Sequence, residues 1–222
     1  MTLILDGVSK CAICGTTVKH KMLVSTNTFG FPDLDFRPSE MKRSTMDYWT
    51  VQCPACGFAD SRIDDKISKK ERKRLEAILK SESYRNCDGW DLPDETARRF
   101  YRQYLLYKEV EKDYRLFLIL KHCIWECDNF GPCCEEVSKN LRCKAIPYLE
   151  RAIQKEFRAS WREQMILQLA DFYRRSNQFE AVEELLKNKK FKEELNERVA
   201  LYQIRLSKKK DNFRHSIGEV SN

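Results

Sequence analysis

Two short stretches share one pattern, Cys11-Ala12-Ile13-Cys14-Gly15 and Cys53-Pro54-Ala55-Cys56-Gly57. In each stretch two residues separate a pair of cysteines, so both thiolates can reach one metal ion from a single tight turn. Each pair is followed by glycine, which tolerates the backbone bend that such a turn needs. Four thiolates around one ion leave no open coordination position. The pattern therefore predicts one structural Zn²⁺ bound by Cys11, Cys14, Cys53 and Cys56.

The separation of the two pairs is the unusual part of this pattern. The segment from Cys14 to Cys53 is longer than the roughly 15–20 residues typical of a zinc ribbon. A longer loop adds little to the entropy cost of closure, so the metal site remains the favoured interpretation. Two alternatives stay open, which are free cysteines paired by chance and a redox-active pair. A redox site would favour one pair at a helix start rather than two equivalent pairs.

Further cysteines follow in the second half of the chain. Residues 1–10 do not resemble a secretory signal, and no run reaches the roughly 18–20 apolar residues that span a bilayer. We therefore expect a cytoplasmic protein with reduced thiols and no membrane partner. Five cysteines either form a second metal site near His122 or pack in the core, and core packing is favoured because cysteine is so often buried. These five are Cys123, Cys127, Cys133, Cys134 and Cys143.

Composition and turn signals predict an α+β, mostly α fold. Charged residues make up 34% of the chain and glycine only seven residues, which favours long helices over many tight turns. β-branched and aromatic residues predict strands over Val18–Thr26 and Tyr48–Gln52. We predict four parts, which are a zinc-ribbon-like domain over 1–62, a basic helix and connector over 63–90, a helical repeat-like domain over 91–207 and a flexible tail over 208–222.

The helical part begins with an acidic start signal. Residues 91–95 place carboxylates at the positive end of a helix dipole. That first helix is expected to run through Phe100 and Lys108 and to continue toward Tyr114. A buried apolar helix is predicted over Leu116–Cys127, and residues 129–132 break it. Further helices are predicted over 146–157, 162–176, 180–186 and 192–206.

One segment of this half has the spacing of a tetratricopeptide unit. Residues 169–182 place Ala170 and Tyr173 where such a unit has a small and an aromatic residue. A preceding unit would pair Leu116–Cys127 with a helix containing Ala145, leaving 128–142 as an inserted loop. We therefore predict a tetratricopeptide-like helical bundle.

The loop between the cysteine pairs carries a candidate polar site. In an extended segment, Asp33, Asp35 and Arg37 would point to one side, and Leu34 and Phe36 to the other. The two carboxylates either bind a cation, act on a substrate or form salt bridges with Arg37 and Arg43. The structural role is favoured because no histidine or nucleophile accompanies them.

A basic segment follows the second cysteine pair. Residues 66–74 carry six basic side chains and one acidic side chain, beside a stripe of apolar residues. The favoured interpretation is a docked helix with a solvated basic face. The alternative is a nucleic-acid surface that contacts phosphates through Lys69, Lys70, Arg72, Lys73 and Arg74. The formal net charge of +7 is moderate and does not decide between them.

These residues resemble a known family. The first cysteine pair, the segment Pro32-Asp33-Leu34-Asp35-Phe36-Arg37-Pro38, the segment from Trp49 to Gly57 and the tetratricopeptide-like helices are similar to the bacterial family called domain of unknown function 2225. The similarity covers roughly residues 8–65 well and the helical half loosely. It implies a bacterial cytoplasmic protein with a zinc-ribbon-like head, a helical-repeat body and no established activity.

The sequence supports three functions in order of preference. The first is a non-enzymatic adaptor that binds a protein partner through its helical surface. The second is a nucleic-acid-binding or regulatory protein that uses the basic helix over 66–74. The third is an enzyme that uses Asp33 and Asp35, although no nucleophile–base pair or phosphate-binding glycine loop accompanies them.

Overall fold

The structure is a computed structural model that describes residues 1–220. Its first part contains two small antiparallel sheets. Strand β1 (Leu3–Lys10) pairs with β2 (Thr17–Ser25), and the first cysteine pair lies in the turn between them. Strand β3 (Val51–Gln52) pairs with β4 (Ala59–Asp60) around the second cysteine pair. Each sheet therefore carries one cysteine pair at its turn.

The strand predictions are confirmed in part. Strand β2 lies within one residue of the predicted Val18–Thr26 at each end, whereas β1 was not predicted. Most of the predicted strand over Tyr48–Gln52 is wrong, because a 3₁₀ helix covers Arg43–Tyr48 and only the last two residues pair. Within that helix Thr45 Oγ1 donates to the Lys42 carbonyl at 2.7 Å, a local bond that competes with strand formation.

Eight α-helices are found in residues 1–220, and the chain is mostly helical. The first two, α1 (Lys69–Lys80) and α2 (Glu82–Arg85), connect the sheets to the body. The body is built from α3 (Glu95–Tyr107), α4 (Asp113–Cys127), α5 (Glu135–Lys155), α6 (Ala159–Arg175), α7 (Phe179–Leu186) and α8 (Glu194–Lys208). Each body helix packs on the next one in sequence, so the body is a chain of antiparallel neighbours. None of these helices is both long enough and apolar enough to cross a membrane.

Helix α3 begins where the acidic signal predicted. Asp94 is its N-cap residue, and its Oδ1 accepts a hydrogen bond from the Ala97 amide at 2.8 Å. The helix ends at Tyr107 and not near Tyr114, since residues 108–112 form a turn before α4. Phe100, Phe117 and Phe172 are fully buried and bring α3, α4 and α6 into one core.

Two predictions in the helical half are wrong. Residues 128–142 are not an inserted loop, because a 3₁₀ segment over Asp128–Cys134 leads directly into α5, which begins at Glu135. Two acidic residues after Pro132 are typical of a helix start. The break at Gly131 led us to predict a loop there instead. Helix α5 therefore begins eleven residues before the predicted helix over 146–157.

The chain after α8 also differs from the predicted flexible tail over 208–222. Residues 211–220 return to the loop before β3, where Leu34 N donates to the His215 carbonyl at 3.0 Å. A short 3₁₀ helix, Ile217–Val220, buries both of its apolar ends. Fully buried Arg174 donates to the Asp211 and Phe213 carbonyls at 2.8 and 2.7 Å. These contacts fix the segment on the body; Ser221 and Asn222 lie outside the described residues.

A buried carboxylate joins the β3–β4 sheet to the body. Asp60, at the end of β4, accepts hydrogen bonds from Gln103 Nε2 at 3.1 Å and from the Tyr107 hydroxyl. Thr50 Oγ1 donates to Gln103 Oε1 at 3.2 Å, so both the oxygen and the nitrogen of the amide have a partner. Because the carboxylate and the amide are both buried, these bonds fix the orientation of the β3–β4 sheet on α3.

Candidate metal centre and buried ion network

The four paired cysteines meet at one point. Their sulfur atoms all lie within 4.8 Å of one another. Cys11 Sγ lies 3.7 Å from Cys56 Sγ, and Cys14 Sγ lies 3.6 Å from Cys53 Sγ. A tetrahedral ion with metal–sulfur bonds of about 2.3 Å needs sulfur atoms about 3.8 Å apart. The cysteines therefore lie together in an arrangement that can hold a metal ion.

The two cysteine turns have the same backbone structure. Gly15 N donates to the Cys11 carbonyl and Gly57 N to the Cys53 carbonyl, both at 2.9 Å. Both glycines have a positive φ, of 75° and 79°, which a residue with a Cβ rarely adopts. The glycine after each pair is thus required by the turn, as the sequence indicated.

Neighbouring helices hold both turns in place. Arg72, on α1, donates to the Ile13 carbonyl inside the first turn. The Tyr84 hydroxyl, on α2, donates to the Gly57 carbonyl of the second turn at 2.6 Å. Each turn therefore has a side chain from a helix bound to its own backbone, and the sulfur arrangement does not depend on the β-strands alone.

The thiols differ in their tendency to ionise. Burial raises the pKa of Cys14, but hydrogen bonds with the Thr16 side chain and backbone outweigh it and lower the pKa to about 6. Burial is the main cause that raises the pKa values of Cys11 and Cys56. A bound divalent cation opposes that effect, because coordination deprotonates a thiol.

The basic segment divides into two groups. Arg72 and Arg74 are half-buried, and Arg74 Nη1 donates to the Leu106 carbonyl of α3 at 2.7 Å. These two arginines join elements within the protein. Lys69, Lys70 and Lys73 are exposed on α1, as is Lys66 just before it. Only the lysines face solvent in the way that a phosphate-contacting surface requires.

The five later cysteines do not converge. Within residues 1–220, the cluster at the two turns is the only group of three or more potential ligands with metal-site spacing. Cys123 and Cys127 are fully buried, and Cys123 Sγ donates to the Ala97 carbonyl at 3.4 Å. Cys134 is also buried, whereas Cys133 and Cys143 are exposed. This distribution supports core packing for the buried members.

The candidate polar loop is a turn and not an extended strand. Phe36 N donates to the Asp33 carbonyl at 2.8 Å, and Phe36 itself has a positive φ of 62°. The Arg37 amide donates to Asp35 Oδ1 at 3.0 Å. The predicted alternation of faces is therefore wrong, since Asp33, Leu34, Asp35 and Arg37 are all buried.

All four residues of the candidate polar site enter a buried ion network. Arg43 binds Asp33 at 2.8 Å, as the structural interpretation required. Asp35 Oδ2 accepts a hydrogen bond from Trp125 Nε1 at 2.6 Å and lies 3.9 Å from Arg175 Nη1. Arg37 Nη2 donates to Asn129 Oδ1 at 2.5 Å. The loop is thereby attached to α4, α6 and the segment between α4 and α5.

Asp128 is the centre of this network. Its Oδ2 receives Arg142 Nη2 at 2.5 Å and Arg175 Nη1 at 2.9 Å. Burial opposes ionisation, but the charges of Arg142 and Arg175 outweigh it and lower the pKa of Asp128 well below its usual range. Sequence reasoning missed all three residues, because their separation along the chain gives no local pattern.

The network contains more positive than negative charge. Five arginines surround three aspartates. Four buried guanidinium nitrogens have no hydrogen-bond partner, against one carboxylate oxygen, Oδ2 of Asp33; the nitrogens are Nε and Nη1 of Arg37, Nε of Arg142 and Nε of Arg175. Burial and the neighbouring Arg175 charge both lower the pKa of Arg142. Buried donors without partners destabilise a fold, so this cluster has unused capacity for negative charge.

Comparison of the chain with known proteins does not assign a function to the cysteine cluster or to the ion network. The chain matches no protein-family model, and searches of curated proteins and of solved structures found no match.

Proposed function

We propose that this protein is a zinc-binding, non-enzymatic adaptor that binds another protein through its helical body. Four thiolate ligands favour zinc, since the hard ions Mg²⁺ and Ca²⁺ prefer oxygen. A closed set of four protein ligands supports a structural role for the ion. The metal would stabilise the head, while the body supplies the binding surface.

A groove on α8 carries the adaptor proposal. Leu201 is 54% exposed there, and Ile204 lies one turn away and is half-buried. The groove has a volume of about 540 Å³ and is lined by Arg198, Leu201, Ile204, Arg205, Lys208, Glu219 and Val220. A groove with apolar side chains can receive the apolar face of a partner's amphipathic helix.

The charges around the apolar strip formed by Leu201 and Ile204 indicate what charge a partner segment would carry. Three basic residues flank the apolar strip, against the single carboxylate of Glu219. Such a groove complements a peptide segment that carries acidic residues beside one or two large apolar residues. The occupant that we propose is an acidic amphipathic helix of a partner protein.

Selection from a displayed random-peptide library tests this surface. We expect the full chain to enrich acidic peptides with large apolar residues, and Leu201→Glu to lose their binding. Leu195→Glu is the matched control, because Leu195 lies on the same helix, is 42% exposed and is outside the groove. Peptides that bind the wild type and Leu201→Glu equally, or a selection that enriches no acidic sequence, would overturn the proposal.

Elemental analysis of the purified protein tests the metal separately. We expect about one zinc per chain in the wild type and none in Cys53→Ser/Cys56→Ser. Iron with sulfide, or no metal at all, would refute the zinc assignment without affecting the α8 experiment.

The four exposed lysines support a second candidate function, in nucleic-acid binding. Lys66, Lys69, Lys70 and Lys73 form one solvated basic group at the start of α1. We expect any such binding to weaken steeply with salt and to disappear when Lys69, Lys70 and Lys73 become Glu. Retention that is insensitive to salt, or that survives these substitutions, argues against this function. An enzyme that uses Asp33 and Asp35 is the least supported function, because both carboxylates are buried in ion pairs.

The same proposal includes membership of the domain of unknown function 2225 family. It also includes a cytoplasmic location and a tetratricopeptide-like arrangement of the helices. Their support is the sequence similarity, the paired cysteine turns and the hairpin of α6 and α7. In that hairpin Ala170 is fully buried and Asn177 forms the turn with a φ of 62°. We propose a bacterial protein on this basis.

A further inference from the structure

A cavity lies at the edge of the ion network and is lined in part by Asp128, Arg142 and Arg175. It has a volume of about 440 Å³ and is bounded by the segment between α4 and α5, the start of α5, the end of α6 and the chain after α8. Its polar lining includes Asp128, Ser138, Arg142, Arg175, Asn212 and Arg214. It shares no lining residue with the α8 groove.

Buried polar groups without partners line this cavity. Arg142 is 2% exposed, and its Nε has no hydrogen-bond partner. Ser138 is equally buried, and its hydroxyl also lacks a partner. A buried hydroxyl and a buried guanidinium normally find partners within the protein, so both groups have capacity for a ligand.

The local field favours an anion. Arg142, Arg175 and Arg214 face two carboxylates, those of Asp128 and Glu135. Asp128 is already shared by two arginines, and Glu135 is exposed to solvent. Helix α5 contributes Ser138 and Arg142 to the lining of the cavity from its first three turns.

We propose that this cavity binds a phosphate group, either as free inorganic phosphate or on a small phosphorylated molecule. A phosphate carries more charge than a carboxylate and offers oxygens to several guanidinium groups at once. Arg142 and Arg175 form the inner wall, Ser138 donates its hydroxyl, and Arg214 closes the outer side. Arg214 is about half exposed and lies 3.9 Å from Asp33, so it can turn toward a ligand without breaking a close ion pair.

Calorimetric titration of the full chain tests the site. The probes are inorganic phosphate, glycerol 3-phosphate and acetate, each at constant ionic strength set with chloride. We expect phosphate to bind with a Kd at or below about 1 mM. Arg214→Gln and Ser138→Ala should each weaken binding about tenfold, since each removes one hydrogen bond to a charged group. Arg62→Gln, which removes a solvent-exposed arginine that does not line the cavity, should leave phosphate binding unchanged.

The titration results either support the phosphate site or overturn it. Tighter binding of glycerol 3-phosphate than of phosphate supports a phosphorylated small molecule, and the reverse order supports free phosphate. Equal binding of acetate and phosphate overturns the proposal, as does phosphate binding that Arg214→Gln and Ser138→Ala leave intact. If circular dichroism shows that one variant is unfolded, the other variant alone decides.

Discussion

The cysteine cluster and the Asp128 network are both built from residues far apart in the chain, yet they differ in how they are assembled. Each half of the cysteine cluster is a local turn with its own glycine and its own hydrogen bonds. The Asp128 network takes single side chains from a loop, from α5 and from α6. A local motif can be recognised from the sequence. A site made of single, distant residues can be recognised only from the structure.

Removing the metal ligands should give the largest effect. In Cys53→Ser/Cys56→Ser we expect β1–β4 to unfold while α4–α6 stay folded, since structural zinc contributes on the order of 10 kcal/mol to small metal-dependent folds. Hydrogen exchange measured by mass spectrometry would show lost protection in the strands alone. Cys133→Ser/Cys143→Ser is the control, because both of these thiols are exposed. Unchanged protection in the first variant would show that the head folds without metal.

Breaking the ion network should be the next largest effect. Asp128→Asn leaves Arg142 and Arg175 buried without their shared charge, which should cost about 3–5 kcal/mol of unfolding free energy. Denaturant unfolding measures the loss. Asp6→Asn, in the exposed pair with Lys21, is the comparison and should not move the unfolding midpoint. A similar midpoint for both variants would mean that the buried network does not stabilise the fold.

The pH dependence of stability tests the buried lysine beside this network. Burial lowers the pKa of Lys121 to about 8 from 10.5, and its Nζ lies 4.7 Å from the Trp125 ring centroid. Between these pH values the unfolded chain binds a proton that the folded chain does not, so stability rises with pH. The unfolding free energy of the wild type relative to Lys121→Met should increase by about 3 kcal/mol from pH 7 to 10.5.

Parallel denaturation curves across that pH range provide the measurement. The Lys121→Met variant is itself the reference, since the cysteines and tyrosines titrate in both proteins. A constant difference between the two proteins would show that Lys121 keeps an ordinary pKa in the folded state.

The smallest predicted effect concerns a purely local interaction. Asp94→Ala removes the cap of α3 and should destabilise the protein by about 1 kcal/mol. Asp91→Ala is the matched control, because Asp91 is exposed and lies before the cap. Thermal unfolding of the two variants gives the difference, and equal melting temperatures would remove the role assigned to the cap.

The sequence predicted what depends on neighbouring residues. The cysteine turns, the start of α3 and strand β2 follow from glycine, capping and β-branched residues that are close together in the chain. The role of Asp33 as a salt-bridge partner of Arg43 was also predicted, although the extended conformation was wrong. Local chemistry was sufficient for these features.

What the sequence did not reveal depends on tertiary packing. Strand β1 contains few strongly β-prone residues and is defined by its pairing with β2. The start of α5 was concealed by Gly131 and Pro132, although Glu135 and Glu136 follow them. Asp128, Arg142 and Arg175 are ordinary charged residues in the sequence, and only burial gives them a role.

The return of residues 211–220 to the loop near Asp33 has a consequence for the synthesis of the protein. Pro32 and Leu34 bond to residues that the ribosome makes after all eight helices. The cysteine turns can therefore form early, because both pairs lie within the first third of the chain. The loop between them completes its contacts only when residues 211–220 have left the ribosome, so a chain without these residues would leave Pro32 and Leu34 without their backbone partners.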